Sequence, residues 1–145
     1  MKVSQIMTAG ARCVGPDVSL VVAAGIMRDL NVGSLPVCDQ GDHVAGMITD
    51  RDLAIRCVAE ARDPLGTPVR AVMTTDAVYA FEDQDVEDAA RLMEVKQVRR
   101  LPVLNRDKHL VGIVSLGDMA TEASIQLSGE ALKEISQPGH ASPAP

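Results

Sequence analysis

The chain is nearly the same passage written twice. Shifting it by 66 residues aligns Val3-Ser4-Gln5-Ile6-Met7-Thr8 with Val69-Arg70-Ala71-Val72-Met73-Thr74, and Leu35-Pro36-Val37 with Leu101-Pro102-Val103. The same shift aligns Gly46-Met47-Ile48-Thr49-Asp50-Arg51-Asp52 with Gly112-Ile113-Val114-Ser115-Leu116-Gly117-Asp118, without an insertion. Of the 51 positions from 3 to 53, 15 are identical to their partners. Such a chain must fold as two copies of one supersecondary unit.

Each copy reads as β-α-β-β-α. A short helical turn ends in Met-Thr, and an extended piece follows, Arg12-Cys13-Val14 or Val78-Tyr79-Ala80. A helix then starts behind a capping residue, Ser19 or Asp85. Its buried stripe falls at helical spacing, Leu20, Ala23, Ala24 and Met27 in the first copy and Val86, Ala89, Ala90 and Met93 in the second. Two hairpins are predicted, 35–39 with 43–49 and 101–104 with 109–115, followed by helices over 50–60 and 116–127. The expected division is repeat one at 1–61, a linker rich in Pro and Gly at 62–68, repeat two at 69–127, and a short helix and disordered tail at 128–145. Repeats of this size bury little alone, so the sheets are expected to pack around a pseudo-twofold axis, giving an α/β (α+β) pair.

Composition excludes several classes. The 145 residues carry a net charge of −6 and no block of Lys or Arg, which argues against direct nucleic-acid binding. No apolar run reaches the roughly 18 residues of a membrane span, and the first residues lack a signal-peptide pattern, so a soluble cytoplasmic protein is expected. With one Tyr and one Phe, Tyr79 and Phe81, the core must be aliphatic. Three cysteines, Cys13, Cys38 and Cys57, are too few for a disulfide scaffold or a zinc ribbon.

The doubled strand ending carries the candidate chemistry. Gly46…Thr49-x-x-Asp52 and Gly112…Ser115-x-x-Asp118 each run from a strand into a helix. One reading is a helix cap, with hydroxyl at the N-cap and carboxylate three residues on. The other adds a ligand, the hydroxyl and nearby N–H groups facing phosphate and the carboxylate accepting hydrogen bonds from a ribose diol.

With these motifs together, the chain resembles a tandem pair of CBS domains, the family named for cystathionine β-synthase, over about residues 1–125. It is most similar to small stand-alone bacterial pairs of the hypoxic response protein type. The resemblance implies a flat homodimer and an adenosine ligand, AMP, ADP, ATP, NAD or S-adenosylmethionine, in clefts between the repeats. It implies that Thr49 or Ser115 faces phosphate or ribose and that Asp52 or Asp118 holds the ribose hydroxyls. It also implies that Leu35-Pro36-Val37 and Leu101-Pro102-Val103, with Cys13 and Tyr79, wall the adenine. Basic residues just before the Leu-Pro-Val strand reach phosphate in nucleotide-binding relatives; here they are Arg99-Arg100 in copy two against Gly33-Ser34 in copy one. The clefts should therefore be unequal. The alternative is a solvated Arg pair matched to Glu82-Asp83 or Glu87-Asp88.

Other residues weigh on the function. Cys13 and Cys38 fall on strands that should be neighbours, either as small apolar side chains or as a redox-sensitive pair. Cys57 reads as packing. His43, His109 and His140 share no zinc spacing with cysteines and read as surface residues, with Cys38 and His43 the one pair that could help hold a metal. Val21-Val22 stand where copy two has Glu87-Asp88, which suggests a homodimer surface. No catalytic constellation is present. The expected function is a non-enzymatic regulatory module that senses an adenosine nucleotide and acts on an unidentified effector protein. The rival is a ligand-free homodimeric stress or interaction protein.

Overall fold

A computed structural model describes residues 1–75, 78–122 and 125–137. Two compact units emerge, and neither is a simple sequence half. The terminal unit joins Met1–Ala11 to the described residues from Val78 onward; the central unit runs from Arg12 to Thr75. Each repeat's lead-in thus belongs to the unit that holds the other repeat's hairpin.

In the terminal unit, α1 (Val3–Ile6) and β1 (Thr8–Ala9) come from the start of the chain. They join β4 (Ala80–Phe81), α4 (Val86–Lys96), β5 (Arg100–Leu104), β6 (Leu110–Ser115), α5 (Leu116–Glu122) and α6 (Ile125–Ile135). The sheet order is β1-β6-β5-β4, with β4 parallel to β5 and the other pairs antiparallel. The central unit contains α2 (Leu20–Leu30), β2 (Ser34–Cys38), β3 (Val44–Thr49) and α3 (Asp50–Asp52). From α3 the chain passes into a π-helical turn over Leu53–Val58. Single bridges, Val14 to Val37 and Thr74 to Met47, occupy the places that β4 and β1 hold in the other unit.

The repeated glycine before Thr49 and Ser115 now has a physical reason. A Cβ on Gly46 would stand 2.5 Å from the Thr74 carbonyl oxygen, and one on Gly112 would stand 2.6 Å from that of Thr8. The Met-Thr lead-in lies so close against the strand that only glycine admits it. The equivalent helices α2 and α4 each end at a left-handed residue, Asn31 or Gln97.

Val3, Ile6, Val86, Ala89, Ala90, Met93, Leu101, Val103, Val114 and Met119 form the core of the terminal unit. The central core is Leu20, Ala23, Met27, Leu35, Val37, Ile48, Cys57, Val69 and Val72 with Val14. Both helical stripes are as expected except at one position: Ala90 is buried, but its counterpart Ala24 is exposed. The reason is α6, which packs on α4 and α5. The central unit has no such helix, and Val21 and Val22 of α2 remain 43% and 48% exposed.

Element ends also differ from the expectation. The short helix expected within 128–145 starts earlier than that: α6 begins at Ile125 and includes Ser128 and Gly129. Ser128 stays in the helix because its hydroxyl donates to the Ile125 carbonyl, 3.0 Å away, so its polar atom is satisfied within the turn. The expected tail, including His140, lies outside the described residues.

Candidate functional site

Both strand-to-helix corners are reciprocal caps. In the central unit the Asp52 amide donates to Thr49 Oγ1 at 3.1 Å, and the Thr49 amide donates to Asp52 Oδ2 at 3.0 Å. In the terminal unit the Asp118 amide donates to Ser115 Oγ at 3.0 Å, and the Ser115 amide donates to Asp118 Oδ2 at 2.8 Å. The cap does not exhaust these groups. Each hydroxyl keeps its own proton, and each carboxylate keeps acceptor sites.

The surroundings of the two corners differ. Asp52 is 1% exposed, and Arg56 Nε lies 3.8 Å from its Oδ1. Asp118 is half-buried, and among the described residues no cation pairs with it. The residue before each hairpin is held at the same place by the backbone: the Leu116 amide donates to the Arg99 carbonyl at 2.9 Å, and the Asp50 amide to the Gly33 carbonyl at 2.8 Å. What projects there is opposite in charge. Copy two offers the Arg99 and Arg100 guanidinium groups; copy one offers the Asp50 carboxylate, whose Oδ2 comes within 2.9 Å of where a Gly33 Cβ would stand.

A cavity of about 490 Å³ opens in the terminal unit. On one side lie Arg99, Arg100, Ser115 and Gly117, and on the other Ile125, Ser128, Gly129 and Leu132 of α6. This volume is in the range of small-molecule sites. Arg99 and Arg100 are exposed, and among the described residues neither has an ion-pair partner. Of the four acids offered as their alternative partners, two are engaged elsewhere, Asp83 with Arg106 at 2.8 Å and Asp88 with Arg91 at 3.9 Å. The Arg106 hydrogen bond holds the Asp83 carboxyl below the usual carboxylate range. A second cavity, of about 480 Å³, is lined by Glu94, Glu130 and Glu134 with Lys133 and Val95, a poor setting for an anion.

The remaining expected ligand residues are placed otherwise. Leu35, Pro36, Val37, Leu101, Pro102 and Val103 are all buried, and none lines the 490 Å³ cavity. Tyr79 is half-buried, edge-on to Phe81 with ring centroids 5.5 Å apart, and Arg106 stacks over the Phe81 ring. The α6 wall was missed because that helix has no counterpart in the first repeat. Gly129 amid an otherwise good helix-forming run was the available signal.

Cys13 and Cys38 are brought together in the central unit. The Val14 amide donates to the Pro36 carbonyl at 3.0 Å, and the Cys38 amide to the Val14 carbonyl at 2.9 Å. Burial pushes the Cys38 thiol up, assisted by a side-chain hydrogen bond with Cys13 and by the charges of Asp42 and Asp39. All three cysteines are free thiols. Cys57 is 2% exposed, and its Sγ donates to the Arg62 carbonyl. His43 Nδ1 lies 3.2 Å from the Gln40 carbonyl and 3.8 Å from Asp39. Among the described residues, no three His, Cys, Asp or Glu side chains converge to hold a metal ion. No described helix is long and apolar enough to cross a membrane.

Two β-α-β-β-α units, each closing on a hydroxyl–carboxylate cap, define a tandem repeat module. The CBS domain family model matches residues 3–58 and 69–124, and the chain belongs to that family. It is similar to the CBS domain-containing protein YhcV of Bacillus subtilis, 43% identical over 135 residues, covering 92% of this chain and 94% of that one. The crystal structure of hypoxic response protein I with two coordinated zinc ions superposes with a TM-score of 0.77 at 35% identity, over 84% of this chain and 98% of that one. The structure of CBSX2 in complex with AMP gives a TM-score of 0.72 at 28% identity, over 87% of this chain and 97% of that one.

Proposed function

We propose that this protein is a non-enzymatic regulatory module that binds an adenosine nucleotide in the terminal unit, beside Arg99, Arg100 and Ser115. The observation that carries the reading is the cavity lined by Ser115 together with Arg99 and Arg100, neither of which has an ion-pair partner among the described residues. A guanidinium pair suits phosphate, since each can donate two parallel hydrogen bonds to it. Asp118 is not on the cavity lining but is tied to Ser115, which is, and in this reading it accepts from the ribose hydroxyls at the cavity edge. The AMP held by CBSX2 supports the same ligand class. Among the candidates, AMP, ADP, ATP and NAD should rank above S-adenosylmethionine, whose sulfonium charge is repelled by Arg99 and Arg100. In the central unit the buried Asp52 and the carboxylate of Asp50 disfavour phosphate, so Thr49 and Asp52 serve there as a cap.

A thermal-shift screen against the five ligands, with Ser115→Ala/Asp118→Ala as control, tests this. A ligand at about 100 times its Kd stabilises the fold by roughly 2.7 kcal/mol. A shift with a phosphate-bearing ligand that the control loses is the expected result. No shift with any of the five would sink the reading.

The contact between Cys13 and Cys38 favours a second reading, a homodimeric stress protein with a disulfide switch in its central unit. The free-thiol count should then fall by two under mild oxidant, and an unchanged count removes the switch. Val21 and Val22 supply the surface for the dimer in either reading. A strictly monomeric species in sedimentation velocity at micromolar concentration would contradict it.

A further inference from the structure

The eleven residues of α6 lie beyond the segment that the family model matches, yet they form one wall of the 490 Å³ cavity. That wall is apolar where it is exposed: Ile125 is 80% and Leu132 42% exposed, with Gly129 between them. Glycine inside a helix is unfavourable, because its backbone loses more freedom than that of any other residue. What it supplies in return is bare backbone that another group can approach closely. Among the described residues nothing fills that space: a Cβ on Gly129 would meet no atom within 4 Å, and its backbone has an ordinary helical conformation. The space beside it is the cavity that Arg99, Arg100 and Ser115 share.

We propose that α6 completes the nucleotide site, with the backbone at Gly129 left bare so that the nucleoside can lie against the helix between Ile125 and Leu132. This rests on the nucleotide reading above and extends it. The phosphates are gripped by the second repeat, whereas the apolar part of the ligand is recognised by a helix outside the repeats. Ligand discrimination in this protein is then set by α6, which the first repeat cannot reproduce. Residues 59–69, which occupy the equivalent eleven positions, contain Pro64 and Pro68 and carry the chain into the second repeat.

The test uses the full chain with Gly129→Leu and Gly129→Ala, titrated with ADP in a calorimeter and melted without ligand. Both side chains favour helix and enter open space, so both variants should melt at or above the wild-type temperature. Gly129→Leu should weaken ADP at least tenfold, and Gly129→Ala by a smaller factor. Equal ADP affinity for wild type and Gly129→Leu would overturn the role of α6 while leaving the nucleotide reading intact. Failure of the wild type to bind any of AMP, ADP, ATP, NAD or S-adenosylmethionine would overturn both. Loss of the melting transition in Gly129→Leu alone passes the decision to Gly129→Ala, whose unchanged affinity at a raised midpoint would likewise overturn the proposal.

Discussion

The two repeats share a layout down to the residue that pairs with each strand, and two of their differences bear on the cavity. Before the hairpin, repeat one has Gly33-Ser34 where repeat two has Arg99-Arg100. After the cap helix, repeat one runs into a proline-containing linker where repeat two continues into α6. Both departures fall on the rim of a single cavity. The shared positions are those that fold demands: the glycine under the Met-Thr strand, the buried Leu and Val of the hairpin, and the reciprocal cap. The unshared positions are not demanded by the fold, and in repeat two they are residues that line the cavity.

Writing repeat-one residues into repeat two gives the strongest test of this contrast. Arg99→Gly/Arg100→Ser removes two charge-assisted anchors and should weaken ADP by about 100-fold, roughly 2.7 kcal/mol. Titration calorimetry reads it directly, and an unchanged affinity would mean that the charge difference between the repeats is incidental. The shared positions should instead respond alike. Gly46→Ala and Gly112→Ala each push a methyl group into a carbonyl oxygen and a methionine sulfur, at a cost of about 2–3 kcal/mol in urea denaturation. A tolerated substitution at either one would show that its lead-in strand can be displaced.

The caps should separate the repeats again, with a smaller effect. Asp52→Asn strips the buried partner of Arg56 and is expected to cost about 1–3 kcal/mol. Asp118→Asn, at a half-buried carboxylate with no cation paired to it among the described residues, should cost less. Equal losses would refute the claim that Asp52 is structural and Asp118 is available to ligand.

The smallest expected effect concerns Cys38, whose counterpart Leu104 does not titrate. Its thiol is held neutral in the fold by burial, by the Cys13 contact and by Asp42 and Asp39, so its folded pKa lies above its unfolded one. Stability is therefore full below about pH 8.5 and falls as pH rises, because the unfolded chain loses the proton first. The slope for one group is at most about 1.4 kcal/mol per pH unit. Melting between pH 7.5 and 10 should show a fall that Cys38→Ala reduces. A wild-type profile identical to that of the variant would contradict the shift.

Much of this was legible in the sequence, for reasons that can be named. Helix stripes such as Leu20-Ala23-Met27 repeat at helical spacing whatever surrounds them, and the Thr49/Asp52 and Ser115/Asp118 caps are local, made by residues three apart. Hydrogen bonds and periodicities within one element need no knowledge of the rest of the chain. The exposure of Ala24 was not legible, because it depends on whether a neighbouring helix covers that flank. Nor was the cavity wall that α6 supplies, since Ile125, Gly129 and Leu132 come from a helix that has no counterpart in the first repeat.

The sequence by itself determined the duplication, the class of each element, the caps and the charge difference at Arg99-Arg100, all of which follow from local chemistry or from one copy set against the other. Tertiary structure alone decided that each lead-in packs in the unit holding the other repeat's hairpin, which is what makes Gly46 and Gly112 obligatory. It alone also brought α6 over to face the two arginines. Both outcomes join residues far apart in the chain, and such contacts are selected by which surfaces fit together in space, which neither spacing nor composition encodes.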